Sequence, residues 1–286
     1  MNWTQRRARM RAILEGEACI YPASVHDPIS ARLAEDIGFE AAMFAGSIAS
    51  LAVLGAPDLI LLTLTEFADQ ALRINRAATL PLLADADHGY GNALNVLRTV
   101  QELEAAGLSA LTIEDTLLPR PFGDGTVRPL SIEEGVGKMK AAVAARTDPA
   151  MAILARTGAI TMTGLDDTLA RIRAYEKVGV DGIFLSGVRT RAEVEAVHAT
   201  TKLPILFGAL VPEIDDKHFL ASHGVRFALQ GHAPFMAAIE AVRATLQALR
   251  DGVKPGDLKG LPSDALVKEV SREAHWRAAT DAFLMP

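Results

Sequence analysis

Ala106-Gly107-Leu108-Ser109-Ala110, running on through Leu111-Thr112-Ile113 into Glu114-Asp115, is the stretch that decides the fold. A helical pattern ends at a glycine, a bulky apolar residue follows, and a short apolar run then finishes in two acids. Glycine is the usual residue just past a helix C-terminus, because it enters the left-handed region without a Cβ clash. The same phrase recurs as Ile37-Gly38-Phe39-Glu40-Ala41, Val178-Gly179-Val180-Asp181-Gly182 and His223-Gly224-Val225-Arg226-Phe227. Each copy reads as a helix feeding a buried strand.

Eight such strands are expected: 20–23, 41–45, 80–84, 111–113, 152–155, 182–185, 204–207 and 227–229. They are nearly continuous in apolar residues rather than alternating, which means strands covered on both faces, as in a parallel sheet. Helical spacing fills the intervals. Val96, Val100 and Leu103 recur within 92–106, and Leu169, Ile172 and Tyr175 within 166–177. Ser131-Ile132-Glu133-Glu134 fits a capping box. Eight βα units point to a (β/α)8 TIM-type barrel, with a doubly wound sheet as runner-up. No linker divides residues 1–286, so one barrel domain is expected. Two helical stretches lie outside the repeat, near 3–15 and 263–283, and residues 252–286 read as a C-terminal helical extension. The link 251–262 carries two prolines and three glycines, so the last helix is free to pack on a neighbouring subunit.

Bulk properties narrow the function. Half of the 286 residues are hydrophobic, enough for a large core, and the net charge of −6 argues against nucleic acid or an anionic membrane as partner. The single cysteine, Cys19, excludes an internal disulfide framework and suits a reducing cytoplasm; it reads as a small buried side chain. The arginine-rich first ten residues lack a signal-peptide core. The apolar run 51–64 is broken by Pro57 and Asp58 and is too short to span a bilayer. A soluble, cytoplasmic protein is expected.

In a barrel of this kind the chemistry sits at the C-terminal ends of the strands. The polar residues found there are Ser24, His26 and Asp27, then Gly46 and Ser47, Asp85 and Asp87, Glu114 and Asp115, Arg156, Ser186, and finally Gln230 and His232. Asp85 and Asp87 stand out within Leu82-Leu83-Ala84-Asp85-Ala86-Asp87-His88-Gly89-Tyr90-Gly91-Asn92. Residues i and i+2 of a strand face the same way, so both carboxylates would meet one site, where a hard divalent cation is the natural neutraliser. Acids cluster on strands three and four, while Arg156 and His232 stand opposite. That asymmetry suits a metal on one side and an anionic substrate group on the other. Bland readings exist for several of these residues: Ser47 as a helix cap, His232 as a core histidine, Arg156 as a structural ion pair, and His26 and Asp27 as cap or supporting residues.

At these positions the chain resembles the phosphoenolpyruvate mutase/isocitrate lyase superfamily, and most of all its oxaloacetate decarboxylase branch. The matching motifs are Phe44-Ala45-Gly46-Ser47, Gly55-Ala56-Pro57-Asp58, Asp85 through Asn92, Ile113-Glu114-Asp115 and Ala155-Arg156-Thr157, over about residues 15–250. The resemblance implies a Mg²⁺ site, with Mn²⁺ as a substitute. Asp85 would bind the metal directly, and Asp58, Asp87 and Glu114 would hold its waters. Gly46 and Ser47 would meet the substrate carboxylate, Arg156 would offer its planar fork, and His232 would orient the substrate. It also implies a homotetramer that exchanges C-terminal helices.

The chain departs from the superfamily in one loop. Its lyases place a cysteine after the fourth strand, and its mutases an asparagine; residues 116–131 contain neither. His88 replaces a small hydroxyl residue, and Gly158 stands where aspartate is frequent. The implied reaction is Mg²⁺-dependent decarboxylation of oxaloacetate, which needs little acid–base equipment. The alternatives are cleavage of a substituted malate or citrate, hydrolysis of a phosphonopyruvate-type bond, and a non-catalytic barrel that keeps the metal. The 116–129 loop is expected to close over the site.

Overall fold

A computed structural model describes residues 2–285. Eight parallel strands follow one another around a single sheet in sequence order: β1 (Ala23–Ser24), β2 (Ala42–Phe44), β3 (Leu82–Asp85), β4 (Ala110–Glu114), β5 (Ala152–Thr157), β6 (Gly182–Leu185), β7 (Ile205–Phe207) and β8 (Val225–Ala228). A parallel bridge between Ile20 and Phe227 brings β8 back to the first strand, with Ala228 N–H donating to Ile20 O at 3.0 Å. The result is the expected TIM-type barrel. All four glycines of the repeated phrase have positive φ, between 77° and 96°, the left-handed helix exit the sequence calls for.

The strand periodicity sorts the core into two layers. One face of each strand packs outward against the helices, as with Phe44, Leu82, Leu111, Ile153, Ile183 and Phe207. The other face fills the barrel, as with Met43, Leu83, Ala110, Leu154, Phe184, Leu206 and Phe227. The N-terminal helix Trp3–Glu15 plugs the bottom of that inner layer with Met10 and Leu14. Its arginines are spent on the barrel base. Arg7 Nε donates to Leu108 O at 2.9 Å and pairs with Asp148, and Arg11 pairs with Asp181 at 2.6 Å.

Several expectations need adjusting. The β1 ladder lies at Ala23–Ser24 rather than 20–23, and β8 starts at Val225. A register shift between β7 and β8 puts Val225 in the outer layer and Phe227 in the inner one, an inversion that an unbroken strand forbids. Ser131 Oγ accepts from Glu134 N–H at 3.1 Å, but the reciprocal half of the capping box is not made. The C-terminal segment is two helices, Asp264–Val270 and Glu273–Leu284, broken at Arg272, which has φ of 62°. Nor is the first of them detached. Arg32 donates to Val270 O at 2.9 Å, and Arg272 pairs with Asp36 at 2.7 Å. Among the described residues no helix is long and apolar enough to cross a membrane.

Candidate active site

The inner-facing parity that fills the barrel with apolar residues continues upward into polar ones. Above Ala110 on β4 come Thr112 and Glu114; above Leu83 on β3 comes Asp85; above Leu154 on β5 comes Arg156. The register pairs Asp85 with Thr112 and Glu114 with Arg156, so neighbouring strands deliver these side chains at one level. Arg156 is the centre. Its Nη1 is hydrogen-bonded to Asp85 Oδ2, and its Nε lies 3.1 Å from Glu114 Oε2 without the alignment of a hydrogen bond. Its guanidinium carbon sits 5.5 Å from the Phe184 ring centroid. Thr112 Oγ1 donates to Asp85 Oδ1 at 3.1 Å.

Asp87 reaches the same place by a different backbone than an extended strand. β3 ends at Asp85, and Asp87 takes φ of 47°, a left-handed conformation that aspartate tolerates better than most residues. Its N–H donates to Asp85 Oδ1 at 3.1 Å, and its carbonyl accepts from Glu114 N–H at 2.8 Å, which ties the turn to β4. The Asp87 carboxylate then lies over Gly46 so closely that a Cβ there would collide with it. Gly46 is therefore required for the approach of that carboxylate. Ser47 sits next to it in the first turn after β2, and the residue preceding that helix is Ala45, so Ser47 is not its cap.

Asp58, Asp87, Glu114 and Arg156 line one cavity of about 540 Å³. Its other walls include Thr116, Leu118, Pro119, Arg120 and Val127 from the loop after β4, and Gly158, Thr161 and Met162 from the turn after β5. The loop's two arms are joined at its base, where Leu117 N–H donates to Arg128 O at 3.0 Å and Leu130 N–H to Asp115 O at 2.6 Å. Ile60, also on the wall, holds φ of 59°. A β-branched residue avoids that region, at a cost of about 1–3 kcal/mol. Asp85 lies behind Arg156 rather than on the open wall. His232 stands apart on the β8–β1 side, where its Nδ1 is 2.8 Å from Ser24 Oγ. His26 and Asp27 support the neighbouring helix. Asp27 caps Pro28–Ile37, and His26 packs edge-on against Phe235 at 4.8 Å. His88 is buried behind the site with Nδ1 unpartnered; burial, reinforced by Lys138, lowers its pKa to about 4.

The electrostatics are unbalanced. Asp58, Asp85, Asp87 and Glu114 are four carboxylates around one guanidinium. Burial, then the neighbouring acid Asp85, raises the pKa of Asp58 and raises that of Asp87 well above the usual carboxylate range. Burial also raises Glu114, against the pull of Arg156. Burial disfavours the charge of Arg156, but Asp85, Glu114 and Asp87 outweigh it and hold the guanidinium firmly protonated. Among the described residues no three acidic, histidine or cysteine side chains converge tightly enough to hold a metal by themselves. Arg156 stands between Asp85 and Glu114, which keeps them from closing into an all-protein cage. The donor set fits Mg²⁺, which takes one or two carboxylates and fills its remaining positions with water or substrate oxygens.

Sequence reasoning collected the four acids, Arg156, Ser24 and His232. It missed Thr112, whose place on the same strand face two residues before Glu114 was a usable signal. It also missed the walls Thr161 and Met162, for which no sequence signal exists, whereas the loop expected to close over the site does supply Leu118.

Comparisons with known proteins agree with this geometry. Residues 10–250 match the family described as phosphoenolpyruvate phosphomutase. An oxaloacetate decarboxylase of Bradyrhizobium sp. strain BTAi1 is 57% identical over 286 residues, spanning 100% of this chain and 99% of that protein. Oxaloacetate acetylhydrolase in complex with 3,3-difluorooxalacetate superposes with a TM-score of 0.86 at 27% identity, over 98% of this chain and 97% of that one. Phosphonopyruvate hydrolase in complex with oxalate and Mg²⁺ superposes with a TM-score of 0.84 at 31% identity, over 99% and 100%.

Proposed function

The chain belongs to the phosphoenolpyruvate phosphomutase family, and we propose that it decarboxylates oxaloacetate to pyruvate and CO₂ with Mg²⁺, or Mn²⁺ in its place, as cofactor. One observation carries the reading: three carboxylates, Asp58, Asp87 and Glu114, line the cavity, a fourth, Asp85, is paired to Arg156 at its back, and no thiol is among the lining residues. Such a site is suited to holding a cation rather than to shuttling a proton. The chain's one cysteine, Cys19, is buried beside β1, away from the loop that follows β4, and burial raises its pKa to about 11.

Loss of CO₂ breaks the C3–C4 bond and leaves its electron pair to flow into the C2 carbonyl, after which a proton adds at C3. A divalent cation held here would supply positive charge to stabilise the developing enolate, worth several kcal/mol of barrier. Asp85 would bind it directly, and Asp58, Asp87 and Glu114 would hold its waters. Arg156 presents its fork to a substrate carboxylate, and the Gly46-Ser47 turn meets the same group with backbone N–H and hydroxyl donors. His232 contacts the substrate from the opposite side. Leu118, Pro119, Val127 and Met162 give the cavity an apolar wall, which excludes water as a charged carboxylate becomes neutral CO₂. Closure of the 116–129 loop completes that exclusion.

We further propose one barrel domain over 1–286 with 252–286 as its helical extension, assembled as a cytoplasmic homotetramer. The 18-residue helix Ala233–Arg250 has no buried residue, and Val242, Leu246, Trp276, Phe283 and Leu284 are exposed, which supports burial against other subunits. Pyruvate formation from oxaloacetate tests the reaction. The protein with Mg²⁺ should exceed Mg²⁺ alone, and a chelator should abolish the excess. No excess over metal alone, with turnover of a substituted malate, citrate or phosphonopyruvate instead, would move the chain to another reaction of the family.

A further inference from the structure

His232 occupies an odd position for its chemistry. It is the residue preceding the 18-residue helix Ala233–Arg250, where a side chain normally accepts a hydrogen bond from the helix's first free N–H groups. The imidazole makes no such cap. It turns instead across the seam where the barrel closes, and its Nδ1 lies 2.8 Å from the Ser24 hydroxyl at the end of β1. Both residues are half-buried. Ser24 Oγ has no other hydrogen-bond partner among the described residues.

That contact can be made in two senses, and two arguments choose the same one. If Nδ1–H donated to Ser24, the hydroxyl proton would have no acceptor, and an unmet donor in a half-buried seam is costly. If the hydroxyl donates to Nδ1, that proton is satisfied and Nε2 keeps the ring proton. Asp85 is the one charge that acts appreciably on the ring, and a neutral imidazole meets a negative site best with an N–H. The charge state agrees. Burial lowers the pKa of His232 against the pull of Asp85, and the positive end of the helix dipole disfavours imidazolium further.

We infer that Ser24 is a positioning residue: its hydroxyl donates to Nδ1 of His232 and holds the imidazole as the neutral tautomer with the proton on Nε2. His232 then acts toward the substrate as a hydrogen-bond donor, not as a proton acceptor. This rests on the proposed contact between His232 and the keto-acid substrate. It adds a specificity consequence: the group facing His232 must be an acceptor, as a carbonyl or carboxylate oxygen is.

The test is ¹⁵N-detected NMR of histidine-labelled protein without substrate or metal, with the His232 signals assigned by their loss in His232→Gln. The expected wild-type spectrum shows His232 protonated on Nε2 alone, with a mixed population in Ser24→Ala. Alongside it, kcat for oxaloacetate should fall about tenfold in Ser24→Ala with KM within twofold, and Ser24→Thr should restore both kcat and tautomer. A proton on Nδ1 in the wild type, or an unchanged His232 spectrum in Ser24→Ala, overturns the inference. The tautomer is read without turnover, so failure of the decarboxylase reading leaves this result standing, and the reverse also holds.

Discussion

Glu114 and Asp115 are neighbours in the chain, are both buried, and each meets an arginine, yet they belong to different machines. Glu114 faces into the barrel and shares Arg156 with Asp85 at the cavity. Asp115 faces outward among the helices. Its Oδ2 is 2.9 Å from Arg171 Nη1 and accepts from the Tyr175 hydroxyl at 2.6 Å. The other acid on Arg171, Asp167, is partly in water. The outward cluster is thus close to charge balance. The inward one carries an excess of buried negative charge that its single arginine does not cover. Burial alone does not mark a functional acid; an uncompensated charge facing a cavity does.

The sharpest way to break this contrast is to remove each acid in turn. Asp115→Ala leaves the buried Arg171 with only the partly solvated Asp167, which costs about 3 kcal/mol and a drop in Tm of roughly 6 °C. Glu114→Gln removes a carboxylate the fold strains to keep ionised, so Tm should hold within about 2 °C while kcat/KM falls about 10–100-fold. Thermal melts and steady-state kinetics on the pair decide the matter, and a reversed pattern would erase the distinction.

Titration sharpens it next. Asp58, Asp87 and Glu114 have pKa values raised by folding, so the metal-free folded state holds protons that the unfolded chain has released. Their contribution to stability is therefore largest at acid pH and is lost as pH rises from the ordinary carboxylate range, near 4, through the raised values. Metal-free protein should lose stability over that window, and Asp87→Asn should lose less. A divalent cation binds the ionised form, so Mg²⁺ should raise Tm more at pH 7.5 than at pH 5. At a hundred times its Kd the gain is about 2.7 kcal/mol, or roughly 5 °C. Differential scanning calorimetry at the two pH values reads this directly.

The smallest effect belongs to Tyr175→Phe. It removes one hydrogen bond from the balanced cluster, at about 1 kcal/mol, and kcat/KM should stay within twofold. A larger loss of activity there would mean that the outward cluster reaches into the site.

Most of this architecture was legible in the chain because glycine at a helix exit and doubly covered strands are local constraints. Gly38, Gly107, Gly179 and Gly224 marked four helix-to-strand junctions, and their place at strand ends collected Asp85, Glu114 and Arg156 at the rim. What escaped depends on distant partners. Nothing local signals the break at Arg272, which is held by Asp36. The inversion in β8 follows from a shifted register with β7. The left-handed turn at Asp87 is fixed by Glu114 and by the room above Gly46. Lys138 sits at a helical position that would usually face water, and the structure buries it.

Oxalate binding, measured by titration calorimetry with and without Mg²⁺, tests the central claim most directly, because oxalate has the planar shape of the enolate. The account predicts tight binding only when Mg²⁺ is present, and none in Asp85→Ala at any Mg²⁺ concentration. Equal binding without metal, or unchanged Mg²⁺-dependent binding in Asp85→Ala, would contradict it.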